Sequence, residues 1–201
     1  TLSPMSYFAI NFCGKDMDNR PDTLVLPSPF PAENLDVFLA TFIPTVYNKR
    51  KESAAALAKA LALTILIKKG QQFIFFPSFA YMDLILPYLK KILTNQNIVW
   101  LEQKRRMSNQ AREAYLEAFS SPEENKTLVA VAVLGGIFGE GIDLVGDKLT
   151  GVSIVGVGLP QISPERNIMR EYYDEEYQGG FLFAYQYPGM NKVLQADRKS
   201  V

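Results

Sequence analysis

Short apolar runs that alternate with segments of helical period constrain this chain more than any other feature. The runs cover residues 23–26, 72–76, 98–101, 127–134 and 151–157, each bounded by turn residues, and they read as buried strands. Between them lie helices. Ser53 stands as an N-cap before Leu57, Leu61 and Ile65, which share one helical face. Pro77-Ser78 closes a strand and opens a helix to about Leu93. Ser108 opens a third, with Ala111, Tyr115 and Phe119 at helical spacing. Ser163-Pro164-Glu165 reads as N-cap, N1 proline and acidic first turn of a helix to about Tyr177. A last helix starts near Pro188. Strands alternating with helices predict an α/β fold, a parallel sheet with helices on both faces. Ligands of such sheets bind at the carboxyl ends of the strands, so the loops after Phe76, Leu134 and Val157 matter most.

The 201 residues, 48% hydrophobic, suffice for one well-buried domain. Lys plus Arg and Asp plus Glu balance at 21 each, so net charge names no partner, although a basic face can hide in a balanced total. The absence of histidine removes Ser-His-Asp and Cys-His catalysis together with the common zinc sites. One cysteine, Cys13, excludes an internal disulfide and points to a reducing compartment; it reads as a small buried apolar residue. Trp100 and most of the 13 Phe read as core. No stretch approaches the roughly 20 apolar residues of a membrane span. Thr1-Leu2-Ser3-Pro4 lacks an initiator Met and a basic region, so it reads as a cut inside a larger protein rather than a signal peptide.

Several nucleotide and hydrolase motifs fail. Gly14-Lys15 is followed by Asp16, and no glycine stands five residues before Gly14, so there is no Walker A loop. After Gly139-Glu140-Gly141 the third glycine of a dinucleotide fingerprint is Leu144, and Gly151-Val152-Ser153 continues as Ile154-Val155 rather than as a nucleophile elbow. What remains is a glycine-rich segment, Gly135-Gly136-Ile137-Phe138-Gly139-Glu140-Gly141-Ile142-Asp143-Leu144, directly after the strand at 127–134. Four glycines in seven residues let backbone approach a ligand, and Glu140 and Asp143 add carboxylates. Phosphate or ribose contact fits this loop, and so does a turn shaped only by packing.

Glu140-Gly141-Ile142-Asp143, followed by Gly146-Asp147-Lys148-Leu149 and a strand ending in Leu159-Pro160, resembles motif V of superfamily 2 helicases of the DinG/XPD type. Three further segments agree in order. Thr1-Leu2-Ser3-Pro4 is similar to the end of motif III, Pro27-Ser28-Pro29-Phe30 to the Ser-Pro-Phe element that opens the second motor domain, and Phe75-Phe76-Pro77-Ser78 to motif IV, with Phe79 in place of the usual tyrosine. The resemblance covers nearly the whole chain. It departs at the end: Gln195-Ala196 opens motif VI, but in Asp197-Arg198-Lys199-Ser200-Val201 the glycine and both arginines are out of register, and Arg198 is not assigned as an arginine finger.

The resemblance implies a RecA-like second motor domain over residues 1–201, with 1–22 as the tail of motif III and a linker. It implies part of an ATP-dependent 5′-to-3′ DNA helicase of DNA repair, placed in the bacterial cytoplasm at the nucleoid. Its partners would be single-stranded DNA and the first motor domain of the same polypeptide. ATP and Mg2+ would be held mainly by that first domain, which carries Walker A and B and, in many members, an iron–sulfur cluster; this chain alone would hold neither metal nor cluster and hydrolyse nothing. The resemblance places Glu140, Gly141, Asp143 and Gln195 facing the nucleotide. It places Ser78 on a DNA phosphate, a role compatible with a plain helix cap. Tyr47, Lys49 and Arg50 resemble a Thr-x-Tyr-x-x-Arg element, and Lys49 and Arg50 are DNA-backbone candidates, against the alternative of a solvated surface. Lys104-Arg105-Arg106 forms a similar basic cluster outside any motif. Two other functions stand beside this one: a non-catalytic α/β interaction module derived from a helicase domain, and a nucleotide-sugar transferase, which lacks its Asp-x-Asp metal pair here.

Overall fold

The computed structural model describes residues 5–14, 22–27, 31, 33, 35–120, 126–138 and 149–197. Its helices are α1 (Met5–Cys13), α2 (Arg50–Ile67), α3 (Phe79–Ile92), α4 (Asn109–Ser120), α5 (Pro164–Tyr177) and α6 (Tyr187–Asp197). Its strands are β1 (Gln71–Phe76), β2 (Ile98–Glu102), β3 (Thr127–Val133) and β4 (Gly151–Ile154). They form one sheet in the order β2-β3-β1-β4, with every pair parallel, as the alternation predicts.

The period of two in β1 and β3 divides the core between the two faces. Ile74, Phe76, Val129 and Val131 point to one side, where Leu57, Leu61 and Ile65 of α2 and Ile85 and Leu89 of α3 cover them. Phe73, Phe75, Leu128, Ala130 and Ala132 point to the other, against Tyr115 and Phe119 of α4 and Ala196 of α6. Phe73, Phe75 and Phe76 are fully enclosed, and each contributes about 2–3 kcal/mol of burial. Both central strands are covered twice, so they read as continuous apolar runs.

Connectivity fixes where a ligand can sit. Helix α3 carries the chain from β1 past β3 to β2, and α4 brings it back to β3. The next strand, β4, lies beyond β1 on the opposite side. The chain therefore leaves the neighbouring strands β1 and β3 in opposite directions, which opens a crevice outside their carboxyl ends.

Local expectations are corrected at several points. Residues 22–27 form no strand: Leu24, Val25 and Leu26 are exposed and irregular, because no sheet edge pairs with them and β-propensity alone does not hold a strand. Ser53 is not an N-cap. The helix begins at Arg50, and the buried Ser53 hydroxyl lies inside its first turn, within hydrogen-bonding distance of the carbonyl oxygens of Pro44 (2.7 Å) and Lys49 (3.0 Å). Cys13 is only half-buried, since it ends a helix on the surface of the domain. Trp100 is also half-buried, packed at the edge of the core, with the Lys90 ammonium over its ring. The other caps stand as read: the Ser78, Ser108 and Ser163 hydroxyls accept from the amides of Tyr81, Ala111 and Arg166.

Helix α1 carries no strong pattern in the sequence. It is seated by aromatic contacts: Tyr7 meets Phe183 and Tyr187, and the Tyr173 hydroxyl donates to Asn11 at 2.6 Å. Phe183 belongs to a five-residue π-helical turn, Leu182–Gln186, which leads into α6 one residue before Pro188.

Candidate functional site

A parallel sheet brings every loop that follows a strand to one end. That end displays, in sheet order, Gln103–Arg106 after β2, Leu134–Phe138 after β3, Pro77-Ser78 after β1 and Val155–Leu159 after β4. Helix α2 enters β1 from the opposite end, so its own start, with Thr45, Lys49 and Arg50, also lies here.

Ser78 is extended (φ −163°, ψ 157°) and accepts from the Tyr81 amide at 3.3 Å, so it is the N-cap of α3. Tyr81, in the first turn of that helix, is buried, and the Arg50 guanidinium lies 4.4 Å from its ring centroid. Arg50 also donates its Nε–H to the Thr45 carbonyl at 3.2 Å. The structure thus joins Ser78 and Arg50 through Tyr81. Lys49 is placed differently: it is exposed and pairs with Glu52 at 3.3 Å, an i,i+3 surface contact worth little. Burial raises the Tyr81 pKa, while Ser53 and Arg50 lower it.

Thr45 reaches across to β4. Gly156 has φ +67°, and a β-carbon there would stand 2.7 Å from the Thr45 hydroxyl oxygen, so this contact needs glycine twice over. On the other side of β1, Leu134 donates its amide to Phe76 O at 2.8 Å, and Gly135 turns with φ +66°. The stem of Lys192 from α6 lies against both Gly135 and Gly158, so it crosses the ends of β3 and β4.

Glu140, Gly141 and Asp143 lie outside the described residues. The segment that leads to them is ordered by packing: Phe138 is buried and stacks on Tyr115 of α4 with centroids 4.1 Å apart. Gln195 is exposed on α6, three residues beyond Lys192, and the following Ala196 is buried in the core. Among the described residues, no three His, Cys, Asp or Glu side chains group as a metal site, and no helix is long and apolar enough to cross a membrane. One cysteine cannot supply the four thiolates of an iron–sulfur cluster.

The model of the helicase C-terminal domain family matches residues 61–197, well over half of the chain. The chain belongs to the helicase C-terminal domain family. It is 27% identical over 187 residues to the ATP-dependent DNA helicase CHL1 of Candida albicans, covering 87% of this chain and 22% of that protein. It is 26% identical over 165 residues to a probable ATP-dependent helicase of Methanocaldococcus jannaschii, covering 77% of this chain and 24% of that protein. Against CHL1 of Saccharomyces cerevisiae it is 25% identical over 172 residues. The chain therefore spans between a fifth and a quarter of the length of these relatives. A solved XPD helicase superposes with a TM-score of 0.57 at 18% identity, over 79% of this chain and 27% of that one. The shared fold is RecA-like, as the motif resemblance implies.

Proposed function

We propose that this domain is the second motor half of an ATP-dependent 5′-to-3′ DNA helicase, working against a first motor domain of the same polypeptide. One observation carries the reading. The switch-point crevice is flanked on one side by Ser78 and Arg50, which the Tyr81 ring brings together, and on the other by Gly135–Phe138, which leads to Glu140 and Asp143. The first group suits a phosphodiester backbone, through a hydroxyl, a guanidinium and the free amides at the start of α3. The second suits the far side of an ATP cleft, with Glu140, Gly141 and Asp143 toward nucleotide and Gln195 on the neighbouring helix. The relatives' names support the pairing of ATP with DNA. ATP and Mg2+ would be held mainly by Walker elements of the first domain, where an iron–sulfur cluster would also belong. Such a protein would work where bacterial DNA is, at the nucleoid.

The domain's own chemistry is to close and reopen on nucleotide while holding strand backbone, so that each cycle advances the track. Alone it hydrolyses no ATP, with or without single-stranded DNA, because no Walker A lysine reaches the phosphates. Joined to a first motor domain, it supports DNA-stimulated ATPase, and Asp143→Ala lowers that rate about tenfold or more, roughly 1.4 kcal/mol at the transition state, while leaving melting temperature and DNA affinity in place. Unchanged ATPase in Asp143→Ala would remove the nucleotide-facing loop from the mechanism. A much earlier melt would make Asp143 a structural cap.

A further inference from the structure

Resting on the strand-track reading above, we infer that Arg105 and Arg106 extend the single-stranded nucleic-acid track from Ser78 along the carboxyl edge of the sheet. The basic cluster follows β2, and it is built rather than loose. Gln103 is buried, donates its amide to Val131 O and accepts from the Val133 amide through Oε1, both at 2.9 Å. That pins the start of the loop to the end of β3. Arg105 then lies over the ring of Phe79, 5.1 Å from its centroid, and its Nη2 donates to Asp83 Oδ2 at 2.6 Å.

Phe79 is the residue after Ser78, so the held guanidinium stands directly beside the capped start of α3. The Asp83 contact occupies Nη2 of a fork with five N–H donors, which leaves others for a phosphate oxygen. Both Arg105 and Asp83 stay exposed, at 62% and 57%, so their pair is open to exchange with a phosphate. Arg106 is exposed and has no ion-pair partner among the described residues. Lys104 stands with Glu102 only at 3.9 Å. A planar guanidinium fixed on an aromatic face is suited to phosphodiester oxygens, and successive cations along an edge match the repeat of a strand backbone.

The test is fluorescence anisotropy of labelled oligothymidylate with this chain, repeated across a salt series. Arg105→Gln with Arg106→Gln is expected to bind about tenfold more weakly, and to flatten the log–log salt dependence by about 0.7 for each phosphate that is no longer neutralised. Lys68→Gln with Lys69→Gln removes the same charge at the opposite end of the sheet and is expected to bind within about twofold of the parent chain. Phe79→Leu releases Arg105 and weakens binding, whereas Phe79→Tyr keeps the ring and the affinity. Equal losses in the two double variants would reduce the effect to net charge and overturn the inference. Weakening by Ser78→Asp without weakening by the arginine pair would overturn it while leaving the proposed function intact. Absence of oligothymidylate binding by the parent chain would overturn both. Retained oligothymidylate binding by the arginine pair, with loss of polyglutamate binding, would make the patch an acidic-peptide surface and overturn it equally.

Discussion

The Arg50 guanidinium carbon lies 4.4 Å from the centroid of the buried Tyr81 ring and links the start of α2 to the first turn of α3. The same side chain donates to the Thr45 carbonyl. Arg50→Ala should therefore cost stability as well as binding, about 2 kcal/mol from the cation–π contact and the charged hydrogen bond together. Arg50→Lys keeps the charge but loses the planar stack and the Nε donor, and should recover less than half. Urea midpoints of the three proteins check this. A midpoint for Arg50→Ala equal to that of the parent would mean that the stack contributes nothing to the fold.

Gly156→Ala tests the contact that holds this loop against β4. The residue adopts φ +67°, and its new methyl would meet the Thr45 side chain at 2.7 Å. Left-handed backbone costs a non-glycine residue about 1–2 kcal/mol, and displacing Thr45 adds to it. A loss of about 2 kcal/mol or more is expected. Pairing it with Thr45→Ala should recover the steric part only, which a double-mutant cycle measures.

Gln72 shows what sequence reading passes over. Inside an apolar strand it is an anomaly, yet its side-chain amide donates to the carbonyls of Ile65 at 3.1 Å and Lys68 at 2.6 Å, closing the end of α2. Gln72→Leu has the right size but leaves those buried carbonyls without a donor. It should destabilise by about 1–3 kcal/mol in chemical denaturation.

Alternation and caps made most of the architecture legible, because Phe73–Phe76 and Ser78, Ser108 and Ser163 act through local, periodic rules. Residues 23–26 misled because a strand needs a partner, which propensity does not reveal. Helix α1 stayed hidden because its seat is made by distant residues, Phe183, Tyr187 and Tyr173. In the candidate site, Ser78 and Arg50 were marked by motif resemblance, but the Tyr81 ring between them was not. Arg105 stood out only as one of a basic cluster, and neither Gln103 nor the seat of Arg105 on Phe79 showed, for the same reason: they depend on the sheet order β2-β3-β1-β4, which the chain does not follow.

The buried tyrosines set an alkaline limit. Desolvation raises the pKa of Tyr115 far above its ordinary value, and it raises Tyr81 and Tyr173 as well. A folded-state pKa above the unfolded one means the folded chain holds its protons more tightly. The contribution to stability is full below about pH 10 and falls as pH rises beyond it. The urea midpoint should therefore drop steadily above about pH 10, and the share of tyrosinate absorbance that belongs to Tyr115, Tyr81 and Tyr173 should appear with unfolding rather than before it. Reversible ionisation of every tyrosine near pH 10 with the fold intact would contradict this.

Ser78 allows its two roles to be separated. Ser78→Ala removes the hydroxyl that accepts from Tyr81, costing about 1 kcal/mol for the missing N-cap, and it removes any phosphate contact too. Ser78→Asp is the informative change. Aspartate caps as well as serine, and its charge suits the positive start of α3, so stability should stay within about 0.5 kcal/mol of the parent. The same carboxylate would stand where a phosphate is proposed to sit, and oligothymidylate affinity should fall about tenfold through repulsion, most strongly at low salt. Melting temperature and anisotropy on the same samples separate the effects. A stable Ser78→Asp that binds like the parent would leave Ser78 as a cap alone, and the track would then have to pass Arg50 without touching α3.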